Sequence, residues 1–419
     1  MVRNSGSAPF PSSKRRAWRH TLVALALLAP LLACAGDSSV RANSDGVDAI
    51  DLAEQAEPVR LELLWRERLV GGGTWDWAAI EYSQPTVCCG GDHVVVGTSK
   101  GDLLVLNMVT GRTIWSYKTD AGIDARPATD EDDDEVIVVG NDAGSLYALD
   151  ISQGLLWKRQ LPGELDGAPT IRDGRVFVMS SNEVLHAYDL ESGERLWDYE
   201  RKVPDYFTLH GLSDPLVENG RVYCGFADGY LVALEADTGE TIWLRDLSGG
   251  ETEFVDVDSK PVLDDGRIYA ASYSGGVFAL DAASGEQLWR EPMVGAAAIT
   301  MADDLLYTTT SGRYVMALNP NTGERIWRVR HKHAIPTAPV ALGNYLLYGS
   351  TDEGVYVLDR NLGLPIVKFD PNVGFSAPLM VVDSRVFMLS NHGVFYAFQL
   401  KRAARTYNVQ LGRRDSPRP

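Results

Sequence analysis

The stretch GSLYALD at residues 144–150 recurs along the chain as GYLVALE (229–235), GGVFALD (275–281) and GVFYAFQ (393–399). Diverged copies are GDLLVLN (101–107), EVLHAYD (183–189), RYVMALN (313–319) and EGVYVLD (353–359). The eight copies end 38 to 46 residues apart. Apolar residues that alternate with a period of two are typical of a β-strand. A repeat of about 40 residues is typical of one blade of a β-propeller.

Each unit has the same order of elements around this strand. An X-Pro dipeptide opens a short apolar run, and a turn leads to a β-rich strand such as RVFVMS (175–180). After the repeated strand, a turn that ends in glycine leads to a last strand, which carries a tryptophan in six units. Glycine suits the positive φ of such turns. Four short antiparallel strands per unit predict an all-β, eight-bladed β-propeller over residues 61–400.

The closure of the ring is also encoded. The eighth unit ends near Leu400 without a tryptophan strand, whereas ELLWRERL (62–69) supplies one in advance. We therefore expect the N-terminal strand to complete the last blade, which removes an open sheet edge. We expect seven tryptophans to pack between blades, at positions 65, 115, 157, 197, 243, 289 and 327.

Composition excludes several classes of protein. The 419 residues are 45% hydrophobic, which favours a packed core over disorder. The formal net charge is -18, and residues 34–400 alone carry about -28, so nucleic acid is not expected as a partner. Four cysteines exclude a scaffold built on disulfides.

The N-terminus predicts export and a lipid anchor. Residues 1–33 hold five basic residues and no acid, and end in the apolar run TLVALALLAPLLA (21–33). That run is too short to span a bilayer and is typical of a secretory signal. Leu31-Leu32-Ala33-Cys34 resembles the bacterial lipobox, which implies acylation of Cys34; a plain secretory signal is the alternative. Ala35 in the next position implies the outer membrane, at its periplasmic face. Residues 34–60 are expected to form a flexible tether, and residues 401–419 a basic, disordered tail.

Few residues suggest catalysis or metal binding, and we predict neither a catalytic residue nor a bound cofactor or metal. Cys88-Cys89 resembles the adjacent cysteines that lie beside the cofactor in some quinoprotein dehydrogenases; two small structural residues are the alternative. The acidic run Asp130–Glu135 could bind a divalent cation weakly, or be a solvated turn. His331 and His333 lack a third identifiable ligand. GTSKG (97–101) joins two strands and therefore lacks the strand–turn–helix setting of a nucleophile.

The order of elements resembles the pyrroloquinoline-quinone-type repeat, and further motifs resemble the BamB family. These motifs are Asp256-Val-Asp258 with the following RIYAASYSGGVFALDAASGEQLW (267–289), and Phe207-Thr-Leu-His-Gly211. The lipobox, the tether and the eight units fit the same family.

This resemblance implies a non-catalytic scaffold of the outer-membrane β-barrel assembly machinery, a monomeric propeller within a complex. It implies binding to the periplasmic POTRA domains of the BamA insertase. The family contact maps to Asp256, Asp258, Phe207 and Leu209, with His210 in the position of the family's arginine. Loss of that arginine removes a permanent charge and a bidentate donor. From the residues alone, the interpretation of Asp256 and Asp258 as solvated loop acids is favoured over a docking patch.

Two other functions stay open at this point. A quinoprotein dehydrogenase would bind pyrroloquinoline quinone and calcium near Cys88 and Cys89, although a catalytic aspartate with calcium ligands is not identifiable. A lipoprotein propeller for a different envelope partner would share the fold and the anchor, because one architecture serves many functions.

Overall fold

The structure is a computed structural model that describes residues 58–71, 80–130, 135–202 and 212–403. Contacts divide the chain into residues 1–39, all outside the described residues, and a unit of residues 40–419. Cys34, the signal and nearly all of the tether and the tail thus lie outside the described residues. Strand β1 (Val59–Arg68) comes first and belongs to the last blade.

The first four blades follow in chain order. Blade 1 comprises β2 (Thr86–Cys88), β3 (His93–Val96), β4 (Asp102–Asn107) and β5 (Thr113–Lys118). Blade 2 comprises β6 (Ala128–Thr129), β7 (Val136–Val139), β8 (Ser145–Asp150) and β9 (Gly154–Gln160). Blade 3 comprises β10 (Thr170–Arg172), β11 (Arg175–Ser180), β12 (Val184–Asp189) and β13 (Arg195–Glu200). Blade 4 comprises β14 (Leu216–Glu218), β15 (Arg221–Gly225), β16 (Tyr230–Glu235) and β17 (Thr241–Asp246).

The other four blades have the same order. Blade 5 comprises β18 (Val262–Asp264), β19 (Arg267–Ser272), β20 (Gly276–Asp281) and β21 (Gln287–Glu291). Blade 6 comprises β22 (Ala296–Ala302), β23 (Leu305–Thr310), β24 (Tyr314–Leu318) and β25 (Arg325–Arg330). Blade 7 comprises β26 (Val340–Leu342), β27 (Tyr345–Ser350), β28 (Gly354–Asp359) and β29 (Pro365–Phe369). Blade 8 comprises β30 (Met380–Val382), β31 (Arg385–Leu389), β32 (Val394–Arg402) and β1. The predicted eight-bladed propeller of four-stranded antiparallel blades is confirmed.

The tryptophan of an outer strand is placed by a bulge in the strand pair. Trp289 on β21 lies opposite Ala279 on β20, and the register shifts directly after this pair. A bulge increases the local twist of a strand and re-aims its side chains. The alanine of the repeated pattern leaves room for the ring opposite it. Strands β12, β16 and β24 repeat this pairing.

The tryptophans join neighbouring blades. Trp289 of blade 5 donates its indole N–H to the carbonyl oxygen of Pro320 in blade 6, at 2.8 Å. Its ring covers Gly323, where an added Cβ would lie 2.6 Å from the ring. Equivalent hydrogen bonds are made by Trp65, Trp157, Trp197, Trp243 and Trp327. Trp115 is half-buried against the interface of blades 1 and 2. The predicted packing role is confirmed, and it explains the glycine that ends these turns.

The N-terminal strand closes the ring as predicted. Strand β1 pairs antiparallel with β32 from Val59 opposite Arg402 to Arg68 opposite Val394. Trp65 then reaches blade 1, where its indole N–H donates to Met108 O at 2.9 Å. The two ends of the described chain are therefore held in one sheet, and blade 8 has four strands like each of the other blades.

The propeller has a face that we call the loop face. It comprises the connections from each outer strand to the next inner strand, together with the turns between second and third strands. Connection and turn touch, since Leu247 N donates to Gly229 O at 2.8 Å and Ser181 N to Glu164 O at 3.0 Å. Within the described ranges, no helix is long and apolar enough to cross a bilayer.

Candidate functional site

The Asp-Val-Asp segment lies on the loop face, in the connection between β17 and β18. Residues 255–258 have no strand conformation, so Asp256 and Asp258 do not project from one face of a strand. Asp256 is only 1% exposed, whereas Asp258 is half-buried. The two carboxyl groups therefore lie in different surroundings, and only Asp258 is open to a partner in this conformation.

Backbone hydrogen bonds fix this segment against blades 4 and 5. Val257 N donates to Phe226 O at 3.2 Å, and Tyr273 N donates to Asp256 O at 2.9 Å. Gly225 permits the close approach, because a Cβ added there would lie 2.0 Å from Val257 O. The segment is thus part of the packed scaffold and presents its acids in a fixed geometry.

Three blades contribute carboxyl groups to this place. The acidic cluster consists of Glu183 in the β11–β12 turn, Asp228 in the β15–β16 turn, Asp256 and Asp258. The pKa of Glu183 is raised to about 7, chiefly by burial and in addition by the charges of Asp228 and Asp256. Burial raises the pKa of Asp258 well above its ordinary value, with repulsion from Asp256 and Glu183. A shared site of carboxylates resists full ionisation unless cations are supplied.

A cation among the described residues touches the cluster. Arg201 at the end of blade 3 pairs with Asp228, with 2.5 Å between Arg201 Nη2 and Asp228 Oδ2. Glu183 Oε2 accepts a hydrogen bond from Ala227 N at 2.9 Å. Glu183 has a positive φ of 60° in the position where five of the other seven repeats have glycine. The sequence could have indicated Glu183 as a candidate site residue, because it is a charged residue in a position where most repeats have glycine.

A second group of acids lies on the loop face near blades 1 to 3. Burial raises the pKa of Asp124 to about 7, and the neighbouring Asp142, Asp166, Glu81 and Glu164 add repulsion. Burial likewise raises the pKa of Asp142 to about 6. Sequence reasoning missed this second group, as well as Glu183 and Asp228 of the first, because the members of each group are far apart in the chain.

Asp258 also lines a cavity on the axis of the propeller. The cavity has a volume of about 310 Å³, and inner segments of most blades line it. Arg126 and Asp214 face each other there at 3.9 Å, and burial lowers the pKa of Lys260. The remaining lining residues are Gln84, Leu212, Ser259, Ala297, Ala298, Ile299, Ala338 and Pro378.

The features expected for a quinone site are not brought together. The lining of the axial cavity, within the described residues, includes neither a tryptophan nor a cysteine. Cys88 is buried between blades 1 and 2, where it packs with Ile123 and Tyr147, and Cys89 stands in the β2–β3 turn with a φ of 62°. Both lie at the turns between first and second strands, opposite the loop face.

The two candidate metal positions do not form a common site. His331 is buried, with Nε2 at 2.8 Å from Tyr348 Oη and Nδ1 at 3.5 Å from Glu353, while His333 is exposed. Of the acidic run, residues 131–134 lie outside the described residues. In the described part of the chain, no group of three or more His, Cys, Asp or Glu residues could hold a metal ion.

Blade 3 holds a Ser-His-Asp arrangement that the sequence did not indicate. His186 Nδ1 lies 2.7 Å from Asp198 Oδ1, and His186 Nε2 lies 3.4 Å from Ser180 Oγ. Ser180 is 0% exposed and His186 is 4% exposed. A substrate cannot reach the hydroxyl in this conformation, so the arrangement ties β11, β12 and β13 together rather than forming a nucleophile.

The remaining predicted partner residues, Phe207, Leu209 and His210, lie outside the described residues. Residue 212, where the description resumes, lines the axial cavity next to Asp258.

The fold and the repeat register define an eight-bladed β-propeller of pyrroloquinoline-quinone-type repeats. Comparison with protein-family models then gives the family. The model described as "Outer membrane protein assembly factor BamB" matches residues 62–154, 124–329 and 311–417, and the chain belongs to that family.

Individual relatives agree with this assignment. The outer membrane protein assembly factor BamB of Bordetella pertussis is 26% identical over 204 residues, which are 49% of this chain and 47% of that protein. The chain thus spans about half the length of this curated relative. The crystal structure of BamB from Moraxella catarrhalis superposes with a TM-score of 0.71 at 25% identity, over 81% of this chain and 100% of that one. A 1-butanol dehydrogenase of Thauera butanivorans is 38% identical over 53 residues, 12% of this chain and 8% of that enzyme.

Proposed function

We propose that this chain is a non-catalytic scaffold lipoprotein of the outer-membrane β-barrel assembly machinery. It binds the POTRA domains of a BamA-type insertase through its loop face, and so aids the folding and insertion of outer-membrane proteins. Acylated Cys34 and the tether hold the propeller at the periplasmic face of the outer membrane. Membership of the BamB family supports this function.

The observation that carries the proposal is the acidic cluster on the loop face. The pKa values of Glu183 and Asp258 are raised, chiefly by burial and in addition by repulsion from the neighbouring acids of the cluster. A partner that brings arginine or lysine would stabilise the ionised forms. Such complementary charge speeds encounter and fixes orientation, while apolar contacts add burial.

The chemistry of the other candidate sites supports a scaffold over an enzyme. The serine of the only Ser-His-Asp arrangement noted in the described blades is buried. The described residues that line the axial cavity are charged, polar or aliphatic, and none of them offers an aromatic ring that could stack on a quinone. The similarity to the butanol dehydrogenase covers 53 residues, about one blade and part of the next.

Binding to the insertase is tested with single isosteric substitutions. The full lipidated chain is purified from its own envelope, and the co-purifying POTRA-containing protein is quantified. We expect Asp258→Asn to lower binding at least tenfold, since a charge-assisted hydrogen bond contributes about 1.5–3 kcal/mol. Asp124→Asn removes a comparable carboxyl from the second acidic group and is expected to bind normally.

The pH dependence of binding provides a second readout. Because the pKa of Asp258 is raised in the isolated chain, pairing with a partner's cation favours release of its proton, and binding strengthens as the pH rises. In Asp258→Asn this dependence should weaken. Equal binding by wild type and Asp258→Asn would remove Asp258 from the contact. Absence of any POTRA-containing protein from the wild-type preparation would contradict the proposed function itself.

A further inference from the structure

The charged strand residues of blade 6 are confined to its outermost strand. Strands β22, β23 and β24 read AAAITMA, LLYTTT and YVMAL and contain no charged residue. Strand β25 reads RIWRVR and is followed by Lys332 after one residue. The basic edge, defined as Arg325, Arg328, Arg330 and Lys332, therefore stands out in a chain whose formal net charge is -18.

These four cations have no acidic partner in the described part of the chain. None of the ion pairs formed by the described residues involves them, and only Glu324 precedes them as a neighbouring acid. Outer strands of other blades differ in this respect. In blades 1, 2, 3 and 7 the outer strand holds an ion-paired cation, and these pairs are Lys118–Asp102, Lys158–Asp120, Arg195–Asp198 and Lys368–Asp370.

The basic edge is held in a fixed arrangement. Arg328 and Arg330 both lie over the ring of Tyr314, at 5.5 Å and 5.6 Å from its centroid. They face β24 in register, with Arg330 opposite Tyr314 and Arg328 opposite Met316. Alternate residues of a strand are about 7 Å apart and point to the same side. The cations thus form a row that matches the spacing of alternate side chains on a neighbouring strand.

The backbone of β25 is available for pairing on its other edge. Blade 6 has the order β22-β23-β24-β25, so that β25 is bonded to β24 alone among the described strands. Ile326 on the same strand is 49% exposed and offers an apolar contact. An open strand edge is a template for an added strand, where main-chain hydrogen bonds provide affinity and side chains provide specificity.

We propose that β25 binds an extended acidic segment of a partner polypeptide by strand addition. Aspartate or glutamate at alternate positions of the segment pairs with the basic edge, and apolar residues between them contact Ile326 and its surroundings. Cross-strand pairs of opposite charge stabilise such a ladder, since their Cβ atoms are about 5 Å apart. This site is on the perimeter of the ring and is separate from the loop face proposed for the insertase.

The charge distribution favours a narrow polypeptide over an anionic membrane. A planar bilayer would approach the acidic neighbouring blades as well as β25, and residues 34–400 carry a net charge of about -28. The Debye length is about 8 Å at physiological ionic strength, so a single strand responds mainly to the charges next to it. The basic edge has the width of one strand, which fits an extended segment.

Binding is measured by fluorescence anisotropy with the full mature chain. The probe is a labelled ten-residue peptide in which glutamate alternates with valine and threonine. We expect saturable binding that weakens at least tenfold between 20 and 300 mM salt, about the range over which screening becomes strong. In Arg328→Gln/Arg330→Gln we expect at least a tenfold loss of affinity. The matched control Arg66→Gln/Arg112→Gln removes two exposed cations from blades 8 and 1 and should bind as wild type.

Further probes separate strand addition from simple attraction. A peptide with lysine in place of glutamate, and one with alternate backbone nitrogens methylated, should both fail to bind. Equal binding of the methylated peptide, or binding of phosphatidylglycerol vesicles in preference to the peptide, would overturn the proposal. Self-association of the Arg328→Gln/Arg330→Gln chain with unchanged peptide binding would also overturn the proposal, because the cations would then serve only to prevent pairing of β25 with another copy of the chain. Asp258→Asn should bind the peptide normally, which keeps this test independent of the insertase contact.

Discussion

Glu183 offers a direct test of the electrostatics of the loop face. It is 6% exposed, lies among Asp228 and Asp256, and has Arg201 as the nearby cation. Its pKa rises from an ordinary 4.5 to about 7. At about 1.4 kcal/mol per pKa unit, ionised Glu183 lowers the free energy of unfolding by about 3 kcal/mol relative to the protonated form.

The sign of the pH dependence follows from proton binding. Below pH 4.5 Glu183 is protonated in both the folded and the unfolded chain, so its full contribution to stability is present. Between pH 4.5 and about 7 the unfolded chain releases the proton and the folded chain retains it, so stability falls as the pH rises. Above that range the whole penalty of about 3 kcal/mol applies.

Glu183→Gln removes this titration and keeps an oxygen that accepts the hydrogen bond from Ala227 N. We expect the free energy of unfolding of the variant, measured relative to wild type, to rise by about 2.5 kcal/mol between pH 5 and pH 8. Urea unfolding followed by tryptophan fluorescence measures it, and urea is preferred because guanidinium ions screen charges. Stability curves of variant and wild type that run parallel from pH 5 to pH 8 would refute the reasoning.

Two further predictions concern the ring itself. Gly285→Ala is expected to destabilise the fold by about 1–3 kcal/mol more than Gly266→Ala. Both glycines have positive φ, but only a Cβ at position 285 would meet a ring, that of Trp243 at 2.6 Å. The urea midpoints of the two variants give the difference, and equal midpoints would contradict the packing argument. A chain that begins after Arg68 loses β1 and exposes the edge of β32. We therefore expect a lower urea midpoint, and self-association in size-exclusion chromatography. A monomer with unchanged unfolding would show that ring closure does not need β1.

Local sequence pattern was sufficient for the architecture. The alternating strands, the glycine-ended turns and the spare strand at Trp65 are features of contiguous residues, and each repeat follows the same local rules. The packing role of the tryptophans could also be predicted, because a large apolar residue that recurs once per repeat is most readily buried in the contact between repeats. The acids were harder: Asp256 and Asp258 drew attention as a pair, yet the pattern could not show that only Asp258 is accessible.

The sequence by itself determined the number of blades, the closure by the N-terminal strand and the family. Only the tertiary structure decided which charges meet. Glu183, Asp228 and Asp258 come from three successive blades, and Ser180, His186 and Asp198 from three strands of one blade. The basic edge of β25 is visible in the sequence, but its lack of acidic partners is not. The physical reason is that strand periodicity is set by neighbours in the chain, whereas burial and pKa are set by neighbours in space.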